Sequence, residues 1–247
     1  MSYNSPVNHN SWARPAHGPA SDVELDLGLR RYMLRVYNFM AGGLLVTGLV
    51  AYAAVTTGFY QQLAGTPLMW VVLLAPLGAV LLLGFRIERM TTGAAQATFW
   101  SYAALMGLSL AGIFLMYTGT SVARVFFISA ATFGAMSLYG YTTQRDLSQL
   151  GSFLFMGLIG VVLASLVNIF VGSSALQFMI SVIGVLVFTG LTAWDTQRLK
   201  NEYIYGAMDG DTAERTAILG ALSLYLDFIN LFAMLLQLLG DQTTDDS

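Results

Sequence analysis

The chain has 247 residues, of which 56% are hydrophobic and only 10% are charged, and its formal net charge is −3. Soluble domains carry about 25% charged residues, so this composition excludes a soluble globular protein and predicts a single membrane-embedded domain. The absence of cysteine excludes disulfides and cysteine-based metal or redox sites, and the lack of a basic tract argues against a nucleic-acid partner.

Residues 1–27 differ from the rest of the chain. They contain three prolines and both histidines but no apolar run, which predicts a polar, disordered tail. The tail has no hydrophobic segment of the kind found in cleaved signal peptides, so the first span is expected to direct membrane insertion. His9 and His17 could bind a metal, but two histidines in such a tail are more often simply solvated.

Seven apolar segments approach the roughly 20 residues that a helix needs to cross a bilayer. We therefore expect an all-α, polytopic membrane helical bundle over residues 28–241, followed by a short acidic tail, 242–247. The seven segments are too long to be the strands of a membrane barrel, which have about ten residues. The segments cover residues 36–57, 68–85, 98–118, 125–141, 153–171, 176–194 and 217–240.

The loops and glycines refine this picture. A short turn, Gly119–Arg124, is predicted to join the third and fourth spans. Placing the N-terminus in the cytoplasm puts every basic residue except Arg124 on the inner side, so the positive-inside rule predicts a cytoplasmic N-terminus and an external C-terminus.

Small residues allow close helix packing in lipid. This is the expected role of the glycines at positions 42, 43, 107, 112, 134, 157 and 160.

Asp227 is the most informative residue, because it lies near the middle of the seventh apolar segment. An acid in this position costs about 2.5–3.5 kcal/mol on insertion scales, which makes it a candidate functional residue. Ser223 and Asn230 share its helix face at 100° per residue. The alternative is structural: Asp227 could be a protonated acid that hydrogen-bonds a neighbouring helix.

Asp195 lies just beyond the sixth apolar segment, with Thr192 and Thr196 on the same helix face. If the helix continues to about Tyr203, antiparallel sixth and seventh helices bring Asp195 and Asp227 to a similar depth. The alternative is an interfacial Asp195 that pairs with Arg198.

If the two acids meet in a poorly hydrated site, ionising both of them at once costs much free energy. The two carboxyls then titrate as a coupled pair and not as separate groups. A proton between them, or a cation in its place, would neutralise the site. Calcium suits carboxylate, hydroxyl and carbonyl oxygens. Two aspartates alone would hold it only transiently, as conduction requires, so no resident cofactor is expected.

Arg86 and Arg89 end the second span. Either could reach Asp195 as a latch, although arginines in this position more often anchor a helix at the membrane surface.

The segment 223–232, Ser-Leu-Tyr-Leu-Asp-Phe-Ile-Asn-Leu-Phe, resembles the last-helix motif of the Bax inhibitor-1 family, bacterial branch. The segment 195–200, Asp-Thr-Gln-Arg-Leu-Lys, resembles the acidic motif at the end of the family's sixth helix. The resemblance extends from about residue 30 to residue 240 and includes the number of spans. Arg86-Ile-Glu-Arg89 is less basic than the family's corresponding cluster.

This resemblance implies a bundle with the seventh helix near its centre, in a bacterial inner membrane. It also implies a pH-sensitive calcium leak in which Asp195 and Asp227 form the sensor, and an association with a membrane-bound ATP-dependent protease.

Three other classes of membrane protein share part of this pattern. A retinal protein needs a lysine in the seventh helix, whereas the single lysine is Lys200 in an inner loop. Intramembrane aspartyl proteases carry a Gly-x-Gly-Asp pattern that both acids lack, so no enzymatic activity is expected. The remaining alternative is a non-conducting regulator that binds a membrane protease or another membrane partner, with the two acids only holding the bundle together.

Overall fold

The computed structural model describes residues 19–206 and 210–243. Within these ranges the regular secondary structure is helical, apart from a single antiparallel bridge between Tyr117 and Gln242. A short 3-10 turn, Ile87–Arg89, follows the third helix. The helices are α1 (Pro19–Thr56), α2 (Phe59–Ala64), α3 (Leu68–Arg86), α4 (Thr92–Leu110), α5 (Ile113–Met116), α6 (Gly119–Thr142), α7 (Ser148–Val171), α8 (Ser174–Tyr205) and α9 (Gly210–Leu239).

Seven helical segments in the described chain are long and apolar enough to cross a membrane, which confirms the predicted all-α bundle. The third span is formed by α4 and α5 together, and α2 is a short helix between the first two spans. The spans are Leu25–Thr56, Leu68–Arg86, Thr92–Met116, Gly119–Thr142, Ser148–Val171, Ser174–Tyr205 and Asp211–Leu239. We call the end of the bundle at which α1 begins the inner end and the opposite end the outer end.

The seventh span, α9, occupies the centre of the bundle, as the family resemblance implied. It packs against α1, α4, α6 and α8. In its most apolar stretch 67% of the residues are buried, against 17–39% in the other spans. Tyr225 of α9 is fully buried; its ring lies 5.4 Å from that of Tyr102, and its hydroxyl lies 2.6 Å from that of Thr47.

The helices extend beyond their apolar segments, mainly at the inner end. The sixth continues to Tyr205 rather than ending near residue 194, and the seventh begins at Gly210 rather than 217. The reason is that hydropathy marks only the part of a helix that lies in hydrocarbon, whereas polar helical turns continue past it.

Two predicted boundaries differ from the structure. The segment Gly119–Arg124 is not a turn but the first part of α6, because the Thr118 side chain accepts a hydrogen bond from Ser121 N and caps the helix. The chain is helical from Pro19, before the predicted tail boundary at residue 27, and proline suits the first turn of a helix. Residues 1–18, with His9 and His17, lie outside the described ranges, as do residues 244–247 of the acidic tail.

The residues after α9 close the outer end. We call residues 241–243 the C-terminal strap. Thr118 N donates to Asp241 O at 3.1 Å, and Thr243 N donates to Met116 O at 3.0 Å. Arg124 Nη2 lies 2.9 Å from Asp241 Oδ2. The strap therefore joins the end of the seventh span to the connection between the third and fourth.

Candidate functional site

The antiparallel helices α8 and α9 place Asp195 and Asp227 side by side. Asp195 lies ten residues before the end of α8, or about 15 Å along the helix, well inside a continuous helix. The two residues are only 7% and 5% exposed, and their carboxyl groups lie within hydrogen-bonding reach of each other. A hydrogen bond between two carboxyl groups needs a proton on one of them. The pair is thus arranged to hold a shared proton.

One oxygen of each acid lacks a hydrogen-bond donor. Asp195 Oδ1 and Asp227 Oδ2 are buried and accept no hydrogen bond within the described part of the chain, although Asp195 Oδ1 lies beside the Arg198 guanidinium. A buried acceptor in this state costs about 1–3 kcal/mol. The site therefore keeps an oxygen that a proton or a cation would satisfy.

Arg198 is the cation next to the pair. Its Nη2 lies 2.8 Å from Asp195 Oδ1 in an ion pair that is not aligned as a hydrogen bond. The same nitrogen donates to Ser223 Oγ at 3.2 Å, and the guanidinium lies over the Trp194 ring, 4.9 Å from its centroid. Arg198 thus links α8 to α9. Asp195 makes both contacts that the sequence left as alternatives, one with Asp227 and one with Arg198.

The latch expected from Arg86 or Arg89 is not formed in this structure. Both side chains are exposed, and neither forms an ion pair with Asp195 in the described ranges. The reason lies in the packing of α3, which lies mainly against α4 and not against α8. The C-terminal end of α3 is consequently at the edge of the bundle, and the position next to Asp195 is taken by an arginine one turn away on its own helix.

Of the four supporting polar residues, only Ser223 contacts the cation of the pair. The hydroxyls of Thr192 and Thr196 donate to the carbonyl oxygens of Phe188 and Thr192, each at 2.8 Å. The Asn230 amide likewise donates to Leu226 O at 2.8 Å. These three donors are satisfied by their own helices, as is common for such side chains in helical surroundings.

No pattern in the sequence indicated a hydrogen-bonded series of three hydroxyl groups, which runs from Tyr37 through Ser137 to Thr196. Because Thr196 donates to a backbone carbonyl, it must accept from Ser137, which in turn accepts from Tyr37. The series ends on a backbone carbonyl of α8. Its role is therefore to tie α1, α6 and α8 together beside the acidic pair, and no hydroxyl spacing within one helix could have revealed it.

A second missed residue is Gln197, which fixes the loop between α6 and α7. Its side-chain oxygen accepts from Leu147 N at 2.8 Å, and its nitrogen donates to Arg145 O at 2.7 Å. One turn further, Lys200 Nζ donates to Tyr141 O at 2.7 Å. These hydrogen bonds hold α8, the helix that carries Asp195, to the end of α6 and to the loop between α6 and α7.

A cavity of about 860 Å³ opens near the inner end between α3, α7, α8 and α9. Arg198, Ser223 and Leu226 form part of its wall, together with polar residues such as Asn201 and Glu202. Asp195 and Asp227 do not line this cavity themselves, whereas Arg198, which contacts Asp195, and Ser223 do.

On the other side of Asp227 the interior is apolar. The ring of Phe228 lies 5.5 Å from that of Phe126 and 5.7 Å from that of Phe133. Further along, Met234 of α9 packs directly on Gly184 of α8. The acidic pair therefore lies between a polar inner cavity and an apolar outer half, which contains a cavity of about 280 Å³ between α1, α5, α6 and α9.

The donor set fits a calcium ion only loosely. Two carboxylates supply at most four oxygens, whereas calcium takes six to eight. In the described ranges no group of three or more His, Cys, Asp or Glu side chains is placed to hold a metal ion. Water or hydroxyl oxygens would have to complete the shell of a calcium ion held by the pair.

Comparison with known proteins gives consistent matches along nearly the whole chain. Residues 29–244 match the family described as inhibitor of apoptosis-promoting Bax1. The chain is 47% identical over 230 residues to the inner membrane protein YbhL of Escherichia coli K12, covering 91% of this chain and 98% of YbhL. It is 50% identical over 218 residues to the uncharacterized protein RP147 of Rickettsia prowazekii, covering 88% and 92% of the two chains. An uncharacterized membrane protein of Streptococcus pyogenes serotype M3 is 38% identical over 221 residues, covering 88% and 96%.

Proposed function

The chain belongs to the Bax inhibitor-1 family of membrane proteins, and from this premise we propose that it is a pH-sensitive calcium leak in which Asp195 and Asp227 sense the ion and the proton. The observation that carries the proposal is the buried carboxyl pair, with its unpartnered Asp227 oxygen, directly behind the wall of the inner cavity.

The charges around the pair define two neutral arrangements. With one shared proton, the pair carries a single negative charge, which Arg198 balances. With calcium bound and both carboxyls ionised, the ion balances the pair, and Arg198 becomes an excess positive charge. Because uncompensated buried charge is strongly unfavourable, calcium entry requires Arg198 to leave the pair. Its half-exposed guanidinium can move into the inner cavity.

The same oxygens serve the proton and the calcium ion, so calcium passage must depend on pH. A proton on the pair removes ligand charge, and a calcium ion displaces the proton. Asp195 and Asp227 titrate together because they face each other, and the pH dependence belongs to the pair.

The orientation of the protein in the membrane follows from the basic residues. The inner end of the bundle carries the arginines of α1 and α3, and the positive-inside rule assigns this end to the cytoplasm. In this orientation the inner cavity faces the cytoplasm of a bacterial cell, the membrane is the inner membrane, and the C-terminal strap lies outside.

The test is calcium flux into proteoliposomes at several pH values for the wild type, Asp195→Asn and Asp227→Asn. Asp146→Asn is a matched control, since Asp146 is an exposed acid in the inner loop. We expect flux that varies with pH in the wild type and the control, and that loses its pH dependence in both pair variants. Unchanged flux in both pair variants at every pH overturns the proposal.

A second function is favoured by the apolar outer half. Phenylalanines line the interior beyond Asp227, and such an apolar lining suits a non-conducting protein that binds and regulates a membrane partner such as an ATP-dependent protease. The discriminating measurement is co-purification from native membranes. A stable protease partner retained by both Asp→Asn variants, together with no calcium flux in the wild type, supports this function over the leak.

A further inference from the structure

A groove outside the acidic site runs along α1 and α4 from the inner end. It has a volume of about 480 Å³. Five of its lining residues follow one face of α1, and the sixth belongs to α4. They are Arg31, Leu34, Arg35, Asn38, Phe39 and Trp100. The groove is polar where it begins at the inner end and aromatic further into the membrane.

The polar part has excess positive charge. Arg31 and Arg35 are one helical turn apart on the same face, where two like charges repel each other. Arg35 Nη1 lies 3.9 Å from Glu214, whose carboxylate also accepts from Gln96 at 2.7 Å. Arg31 is exposed and forms no ion pair with any described residue. Glu214 therefore contacts only one of the two guanidinium groups, and an anion between Arg31 and Arg35 would relieve their repulsion.

The deeper part of the groove is a fixed aromatic wall. The Phe39 and Trp100 rings lie 6.0 Å apart. Trp100 packs on the α-carbon of Gly42, where a side-chain carbon would be only 2.8 Å from the indole. Eight residues separate Arg31 from Phe39, a rise of about 12 Å along the helix. The groove thus changes from charged to apolar over the length of a phospholipid headgroup and the start of its acyl chains.

We propose that this groove binds an anionic phospholipid. The phosphate group lies between the guanidinium groups of Arg31 and Arg35, Asn38 contacts the glycerol and ester oxygens, and an acyl chain lies against Phe39 and Trp100. Guanidinium groups bind phosphate with two parallel hydrogen bonds, and basic grooves between helices at the cytoplasmic side of membrane proteins suit anionic headgroups. The inference concerns lipid binding alone and does not depend on calcium passage.

The test compares lipid binding to the purified full chain by native mass spectrometry, with phosphatidylglycerol and phosphatidylcholine of identical acyl chains. Arg31→Gln is the informative variant, because replacing Arg35 would also remove its contact with Glu214. Arg30→Gln is the matched control. It removes the same charge from the next residue, which is also exposed but lines a different groove, between α1 and α6.

We expect the wild type to prefer phosphatidylglycerol and Arg31→Gln to lose about five- to tenfold of this preference, while Arg30→Gln changes it little. Equal losses in both variants would indicate attraction to general surface charge and overturn the site. Inorganic phosphate and glycerophosphoglycerol, which carry the anion without acyl chains, test the source of the ligand. If either competes as well as the intact lipid, the groove binds a soluble phosphate and the lipid proposal is wrong.

Discussion

Gly140 of α6 lies directly against the backbone carbonyl of Ala193 in α8. A Cβ atom at position 140 would be 2.1 Å from Ala193 O and within 3 Å of two further backbone atoms. Ala193 precedes Asp195 by two residues, so this contact sets how closely α6 approaches the helix that carries one acid of the pair.

Replacing Gly140 by alanine should therefore destabilise the bundle by about 1–3 kcal/mol, the usual cost of overpacking, because backbone and not a flexible side chain must move. Thermal unfolding in detergent measures the effect. Gly134→Ala is the control: it lies in the same helix and has nothing within 4 Å of the added carbon. Equal melting temperatures for the two variants would show that the α6–α8 contact does not limit stability.

Asp227→Leu should raise the stability of the protein while abolishing pH-dependent flux. The substitution removes a buried carboxyl oxygen that accepts no hydrogen bond, whose burial costs about 1–3 kcal/mol. The contact with Asp195 is lost as well, but an ionised Asp195 keeps its ion pair with Arg198. A melting curve checks the first effect, with Asp211→Asn, an exposed acid at the start of α9, as control. If Asp227 instead holds the helices together, the melting temperature of Asp227→Leu will fall.

Arg198→Gln tests which arginine balances the acidic pair. The substitution leaves Asp195 buried without its cation, and breaking such a pair costs up to about 3–5 kcal/mol when both partners are buried. Because the Arg198 side chain is 43% exposed, solvent screening reduces this cost, and we expect about 1–2 kcal/mol.

The pH profile of calcium flux should also change in Arg198→Gln, because the remaining charge of the pair is no longer balanced. Arg86→Gln and Arg89→Gln should leave both the profile and the melting temperature close to wild type. A larger effect from either of these two variants would restore the second span as the source of the latch.

The start of α7 provides a prediction for low pH. Asp146 Oδ1 accepts from Ser148 N at 2.9 Å, and the hydrogen bond with Ser148 holds the pKa of this carboxyl below its usual value. A carboxyl with a lowered pKa in the folded state stabilises the fold at pH values above its ordinary pKa, and the contribution is lost as the pH falls through the folded-state value. The protection factors of the backbone amides at the start of α7 should therefore fall only in acid, and in Asp146→Ala they should be low at neutral pH as well.

The sequence was sufficient for the parts of the fold that depend on hydropathy. The number and order of the spans follow from the apolar segments, and Asp227 is conspicuous because an acid in such a segment is costly. The central position of the seventh span came from the family resemblance. Helix ends were less accurate, since the polar turns of α8 and α9 extend past the bilayer and carry no apolar signal.

Close contacts between helices followed from the sequence only in part. Of the glycines expected in close packing, those at positions 42, 43, 107, 112 and 157 do lie against other elements, whereas Gly134 and Gly160 have nothing near them. Gly140 and Gly151, which the sequence did not single out, also lie against another helix. The reason is that composition identifies a small residue but not the face on which it lies. The same limit applies to Arg198, since its place beside Asp195 depends on which helix covers the acid, and local spacing does not contain that information.

The central position of α9 has a consequence for biogenesis. Of the described spans, the one that supplies the largest share of the buried core follows the other six in synthesis. When the first six helices have entered the membrane, the surfaces that will enclose α9 have no partner except lipid and each other. Asp227 enters with the final described span, and its neighbours must separate to admit it. Assembly of this protein should therefore be a single late event, and an insertion factor that shields polar intermediates would act on the six-helix stage.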